Sequence, residues 1–498
     1  MIVAHDLGTT GDKASLHDDT GRTLATFTAG YPTHYGADGV VEQDPQQWWA
    51  AVGVATRGLL EKAGARADQV SVVGLSGQMM GAVFLDEQHQ PTRPAIIWAD
   101  QRSQAQTTWL IDAVGQEAAY QELGHRIHPT YTLAKIMWVR EHEPEVWAAT
   151  RHVCVAKDFV AHRMTGTLAT DPSDASGTDA YDQGAARWSE RLLAAAGITD
   201  DLLPPILPST TVLGGLTPQA AAASGLLADT PVVLGGGDGP MAAVGAGVLT
   251  PEDAAYACLG SSSWISCASR APLHDPQMRS MTFNHVVPDH FVPTATMQAG
   301  GASLSWVMEL FGGGEHAYER LLGEAATVAA ADEGLFFLPY LLGERSPNWN
   351  ANAAGTFAGL QRHHGPAHLV RAVLEGVAFN LRTCMGAFTD SGIALDRIDV
   401  IGGGAQSPVW MQVLADTWQV PVRQRTIVAD ANSLGAAVTA AVGVGLVDDF
   451  GVARTLSALA AEFVPDSSRA DRVREQHQIF LHAYDQLEPW FDTRVARS

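Results

Sequence analysis

The chain has 498 residues, 46% of them hydrophobic and 17% charged, and 31 basic against 54 acidic residues give a net charge of −23. That length exceeds one ordinary hydrophobic core, so two large domains are expected, and the hinge read near Pro240 divides them into residues 1–242 and 243–498. The charge repels nucleic acid and anionic lipid at long range and argues against both as partners, while a small phosphorylated ligand can still be held by local N–H groups and a metal ion.

The opening run Met1-Ile2-Val3-Ala4-His5-Asp6 has no basic segment and no apolar signal core, and reads as a first strand, not a signal peptide. It leads into the turn Asp6-Leu7-Gly8-Thr9-Thr10. A further turn at Asp18-Asp19-Thr20-Gly21 and a strand over 23–27 follow. Asp44-Pro45 then opens a helix, with a capping carboxylate and proline at the first helical position, and Trp48, Val52, Ala55 and Leu59 mark one face. Strands are expected over 70–75 and 81–85, which places Ser76-Gly77-Gln78-Met79-Met80 at a strand end, where ligands bind. The chain is then mostly helical to residue 200, and Leu203-Pro204-Pro205-Ile206-Leu207-Pro208 marks a surface crossing. A strand over 231–234 runs into Gly235-Gly236-Gly237-Asp238-Gly239, with a helix from about Pro240 and the hinge between halves. Asp238 and six glycines between Pro231 and Leu249 rule that stretch out as a membrane span.

The second half repeats this logic. A strand over 254–259 leads into Leu259-Gly260-Ser261-Ser262-Ser263, a strand is expected over 335–338, and a long amphipathic helix over 366–389. A strand over 399–401 opens into Gly402-Gly403-Gly404-Ala405-Gln406-Ser407, and a helix spans 408–418. The alternation predicts an α/β protein. Cys154, Cys258, Cys267 and Cys384 show no CxxC pair, as expected of buried thiols in a reducing, cytoplasmic setting.

The chemistry sits in the two matched turns. A strand ending in glycine and small hydroxyl residues lets backbone N–H groups approach an anion while the hydroxyls add donors, and two such turns half a chain apart suggest two clamps on one phosphate chain. Asp6 stands where a carboxylate holds Mg²⁺ against phosphates, although a turn-capping aspartate is the plain alternative. Asp238, flanked by glycines, is placed to touch substrate and to act as the base of a phosphoryl transfer, against the plain alternative of capping the next helix. No Gly-Lys dipeptide, G-x-G-x-x-G, G-x-S-x-G or H-E-x-x-H occurs, which weakens the P-loop, dehydrogenase, serine hydrolase and zinc protease readings. Lys13, Glu344 and Arg345 could serve ligands, but single charged residues near turns are more often solvated and these are read so, and the histidines, including His363-His364, show no metal-ligand spacing.

These segments, in order over nearly the whole chain, resemble the FGGY carbohydrate kinases, through Asp6–Thr10, Gly77-Gln78-Met79, Lys157-Asp158, Ser173-Asp174-Ala175-Ser176-Gly177, Gly235–Asp238, Gly260-Ser261-Ser262, Gly343-Glu344-Arg345-Ser346-Pro347 and Gly402–Ser407. The resemblance implies a two-domain α/β fold of the actin/hexokinase/Hsp70-like ATPase type, built from ribonuclease H-like domains around a cleft that closes on its substrates, with ATP and Mg²⁺ as cofactors. Within the family the likeness is to xylulokinases, carried also by Glu42-Gln43-Asp44-Pro45 with Trp48-Trp49, and implies phosphorylation of D-xylulose at its 5-hydroxyl. By that likeness Asp238 is the base and Asp6 the metal residue. Thr9, Thr10, Gly260, Ser261 and Ser262 grip the ATP phosphates, and Gly403, Gly404 and Ser407 border the adenosine. Gln78, Met79, Met80, Trp98, Asp100 and Asp238 border the sugar. Analogy also implies a homodimer. Met80, Ala99 and Gly239 depart from the polar residues usual at those places, so another ketopentose, gluconate or a polyol is the alternative acceptor. A non-catalytic sugar or nucleotide regulator on the same fold is the alternative from another class.

Overall fold

Apolar strands gather into two main sheets in the computed structural model, which describes residues 1–37, 39–426 and 430–495. Among the described residues the first sheet has six strands and the second seven. They follow one plan. In the first, Ile2–Leu7 pairs antiparallel with Gly11–His17, which pairs with Thr23–Gly30. Its other edge runs parallel to Val72–Gly77, then Pro231–Gly237, with Val212–Gly215 antiparallel at the margin. In the second, Ala255–Leu259 pairs antiparallel with Ser263–Ser266, which pairs with Phe291–Met297. Its other edge runs parallel to Ile398–Ile401 and then Val422–Arg425, with Leu459–Phe463 antiparallel at the margin. Met281–Asn284 extends this sheet beyond Phe291–Met297. The two hydroxyl turns therefore join equivalent hairpins, which is the structural basis of their likeness in sequence.

Helix Pro45–Ala63 forms as its cap and period dictate. Asp44 accepts the Gln46 N–H at 2.9 Å, Gly64 ends the helix at φ 61°, and Trp48, Val52, Ala55 and Leu59 are buried on the first sheet. The opposite face is covered from far along the chain. Leu434, Ala437 and Ala441 of helix Ala431–Gly443 pack on Ile2, Ala4, Val72 and Val233. This helix also lies against Asp238–Gly245, each of the pair following the second parallel strand that flanks its sheet's first strand. Their backbones nearly touch: a Cβ on Gly245 would stand 1.9 Å from the Ala431 carbonyl oxygen, and one on Gly435 2.1 Å from that of Met241. Only glycine permits that approach.

Two expectations shift. The helix after the glycine run starts at Asp238, not near Pro240. The strand expected over 81–85 is Val83–Leu85, paired with His152–Cys154 outside the main sheet, because Met80, at φ 69°, turns the chain away after Val72–Gly77. The four cysteines are free and buried. Among the described residues no helix is long and apolar enough to cross a membrane.

Candidate active site

Asp6, near the end of its strand, and Asp238, at the start of its helix, lie two strands apart on one sheet. The Asp6 carboxylate accepts Ser76 Oγ at 3.1 Å and, more weakly, Asn432 Nδ2 at 3.5 Å. It does not cap its own turn, where the Gly8 N–H bonds the backbone carbonyls of Asp6 and Gly11. Burial raises Asp6 above the usual carboxylate range. Asp238 is half-buried, accepts the Gly239 N–H at 2.7 Å, and is pushed up to about 7, by desolvation first and by the charge of Asp6 second. A carboxyl poised there gains and loses a proton near neutrality. Among the described residues neither aspartate has an ion-pair partner, and Lys13, which acts on Asp6 through space, is bonded to Asp430 at 2.8 Å. Two desolvated, mutually repelling carboxylates beside hydroxyl and amide groups form a donor set that fits a hard divalent cation.

Asp238 opens on a cavity of about 160 Å³. Met79, Met80, Met281 and Phe283 give it an apolar floor, while Ser262, Thr296, Arg345 and Asn432 supply polar atoms. Trp98 is in its wall and donates Nε1–H to Thr9 Oγ1 at 3.0 Å, which ties the first hydroxyl turn to the cavity. That turn is braced from behind: Gln78 Nε2 donates to Gln43 Oε1 at 2.9 Å, and Gln43 Nε2 donates to the Thr9 carbonyl at 2.6 Å. Trp48 donates to the same Gln43 oxygen at 2.9 Å, which explains why Gln43 and Trp48 occur together.

Of the residues expected at the sugar, Met79, Met80, Trp98 and Asp238 share this wall with Gly239, and Gln78 and Asp100 stand outside it. Asp100 is fully buried, taking the Val41 N–H at 2.6 Å and the Arg102 guanidinium. Ala99 packs against the first-half core. On the phosphate side Ser262 reaches the cavity, Thr10 and Ser261 are exposed, and the Gly260 and Ser261 carbonyls accept N–H groups of Gly301 and Ala302 at 2.7 and 3.1 Å. The glycine turn before Gly403 and Gly404 lies beside this second hydroxyl turn. Gly402 has φ 88°, and a Cβ there would meet the Leu259 carbonyl oxygen at 2.7 Å. Ser407 caps helix Pro408–Trp418 by accepting the Trp410 N–H at 3.3 Å.

The reading of Lys13, Glu344 and Arg345 as solvated charges is overturned. Lys13 is ion-paired, and Arg345 is in the cavity wall. Glu344 is 4% exposed, accepts the Gln298 and Arg345 N–H groups and Asn380 Nδ2 at 2.8 to 3.0 Å, and is raised to about 8 by burial. Asn432 was not anticipated, and the run of small residues opening its helix is the only local signal. Behind Asp238, the Gly237 N–H donates to Ser173 Oγ, which donates to Asp171 at 2.6 Å. There the buried Lys157 ammonium serves Asp158, Asp174 and Asp171 at 2.8, 3.4 and 3.5 Å. Elsewhere His363 and His364 meet Glu333. His364 takes the Gln361 N–H on Nδ1, which leaves its Nε2 protonated and turned toward that carboxylate, unlike a metal ligand.

Residues 1–245 match the model of the FGGY family of carbohydrate kinases, N-terminal domain, and residues 255–444 that of the C-terminal domain. The chain belongs to the FGGY family of carbohydrate kinases. Xylulose kinase of Escherichia coli strain K12 is 34% identical to it over 98% of this chain and 99% of that protein. The crystal structure of ligand-bound xylulose kinase from Lactobacillus acidophilus superposes with a TM-score of 0.93 at 25% identity, covering 99% of both chains. Gluconate kinase from the same organism does so at 0.91 and 26%, covering 98% of both. This FGGY kinase is an ATP-dependent sugar kinase with the two-domain α/β fold of the actin/hexokinase/Hsp70-like ATPases.

Proposed function

We propose that this kinase phosphorylates D-xylulose at its 5-hydroxyl with ATP, with Asp238 as the general base. The observation that carries the reading is a carboxyl held at about 7 on the wall of a cavity that also takes Ser262 from the second hydroxyl turn and Trp98 bonded to the first. Asp238 accepts the hydroxyl proton as the sugar oxygen bonds to the γ-phosphorus and the bond from that phosphorus to the leaving ADP breaks. Thr9 and Thr10 on one side, and Gly260, Ser261 and Ser262 on the other, hold the phosphates, while Gly403, Gly404 and Ser407 border the adenosine. Mg²⁺ fits beside Asp6 and, when bound, neutralises phosphate charge. Met79, Met80 and Trp98 border the sugar, Gln78 braces the turn, and Asp100 anchors the segment after Trp98. The cleft closes over both ligands and excludes water as a competing acceptor. In this reading residues 1–242 form the sugar-binding domain with the first phosphate turn, and 243–498 the ATP-binding domain, which also lends Met281, Phe283, Thr296 and Arg345 to the cavity wall.

Supporting it are full-length relatives named xylulose kinases at about a third identity. The test is ADP release from Mg-ATP across D-xylulose, L-xylulose, D-ribulose, gluconate, glycerol and erythritol, with Asp238→Ala as the control. Dominant turnover of D-xylulose that Asp238→Ala abolishes is the expected result, and preference for another acceptor overturns the substrate. The reading includes a cytoplasmic location, supported by four unpaired buried thiols, and a homodimer, tested by light scattering.

A further inference from the structure

Arg345 is the one basic side chain in the cavity wall among the described residues. Other enclosed arginines either donate to a backbone carbonyl, as Arg126 does to Met278 and Arg382 to Thr417, or meet a carboxylate. Arg102 meets Asp100 at 2.6 Å, Arg279 meets Asp275 at 2.8 Å, and Arg371 meets Glu375 at 2.6 Å. Among the described residues no carboxylate stands at ion-pair distance from the Arg345 guanidinium, because the adjacent Glu344 side chain is spent on backbone N–H groups and Asn380. What holds it is weak: a 3.5 Å contact from Nη2 to Thr296 Oγ1, and the face of Trp98 with its ring centre 5.9 Å away. Its Nε is buried without a partner.

An enclosed cation without an ion-pair partner is costly, and the wall it shares with Met79, Met80, Met281 and Phe283 gives it a single weak acceptor in Thr296. A ligand oxygen completes such a group, and a carbonyl or carboxylate does so better than a neutral hydroxyl, since it accepts without needing a donor site in return. Arg345 and Asp238 share the cavity without forming an ion pair. Both side chains are left to face a bound molecule at separate points of the wall.

We propose that Arg345 receives the carbonyl end of the acceptor, and that this contact selects ketoses, and sugar acids more strongly, over the corresponding alditols. The inference rests on the sugar-kinase reading of the site. It is tested with D-xylulose, xylitol and D-xylonate, which share a carbon chain and differ at that end, on the wild-type protein, Arg345→Gln and Arg345→Lys. In Arg345→Gln the KM for D-xylulose rises ~10–100-fold, while kcat, the KM for ATP and the KM for xylitol stay within ~3-fold. Arg345→Lys recovers part of the loss, and if Arg345→Gln does not fold, its loss on D-xylulose alone is the readout. Equal losses on D-xylulose and xylitol, or a loss expressed in the KM for ATP, overturn the proposal. If the wild type turns over none of the three, the D-xylulose reading fails separately, and quenching of Trp98 and Trp264 emission by the same compounds decides. Tighter binding of the ketose than the alditol that disappears in Arg345→Gln upholds the role, and identical curves refute it.

Discussion

Asp238→Asn removes the proposed base and, by the same physics, makes the folded protein more stable at alkaline pH. The folded carboxyl titrates at about 7 against a reference of 3.8, so its ionisation is disfavoured in the folded chain. Stability tied to the protonated form is complete below pH ~4 and lost as pH rises through 7. Three units correspond to ~4 kcal/mol, and partial exposure of the side chain reduces this to ~2 kcal/mol at pH 8, falling to about a third of that at pH 5. Asparagine has no charge to desolvate and keeps the oxygen that accepts the Gly239 N–H. Because helix 431–443 ties the first sheet to the second half, the whole 498-residue chain is the unfolding unit, and ~2.1 cal/mol/K per residue makes 2 kcal/mol a rise of ~2 °C in Tm. The assay is thermal melting without nucleotide, sugar or divalent cation, at pH 5 and pH 8. A gap between variant and wild type that does not widen with pH, or a less stable variant at pH 8, would refute the reasoning. Turnover of the same variant is expected to fall ~10²–10⁴-fold.

Asp6→Asn removes the second cause of the Asp238 shift, so the pH at which Asp238→Asn gains its advantage moves down when measured in the Asp6→Asn background; an unchanged midpoint contradicts the coupling. Lys157→Met leaves three enclosed carboxylates without their shared cation and is expected to cost ~3–5 kcal/mol in urea unfolding. Gly435→Val drives a side chain into the Met241 carbonyl, 2.1 Å from the first added carbon, and lowers Tm by several degrees, whereas the same change at the open Gly323 is expected to leave the pairing of these helices intact.

What could be read from the sequence is what is written locally. The two hydroxyl turns need glycine and small side chains at consecutive positions, and helix 45–63 carries its cap, its proline and its apolar face within one segment. Asn432 and Arg345 are different. The hydrogen bond from Asn432 to Asp6 spans 426 residues, and nothing near either residue encodes it. Arg345 looks like any charged residue beside a turn, and only the fold brings it into one wall with Met281, Phe283 and Thr296. The contact of the histidine pair with Glu333, 30 residues upstream of His363, is likewise made by the fold and not by local sequence.

Helix 431–443 has a consequence for how the protein is made. The first sheet is translated early, yet the face formed by Ile2, Ala4, Val72 and Val233 is covered by residues near the end of the second family segment. On the ribosome those strands must wait, with an uncovered oily face, until almost the whole chain has emerged. A fragment ending at the border of the first segment would keep that face permanently, and would lack the amide that reaches Asp6. Splitting this kinase into a sugar half and a nucleotide half therefore requires transplanting one late helix to the early piece.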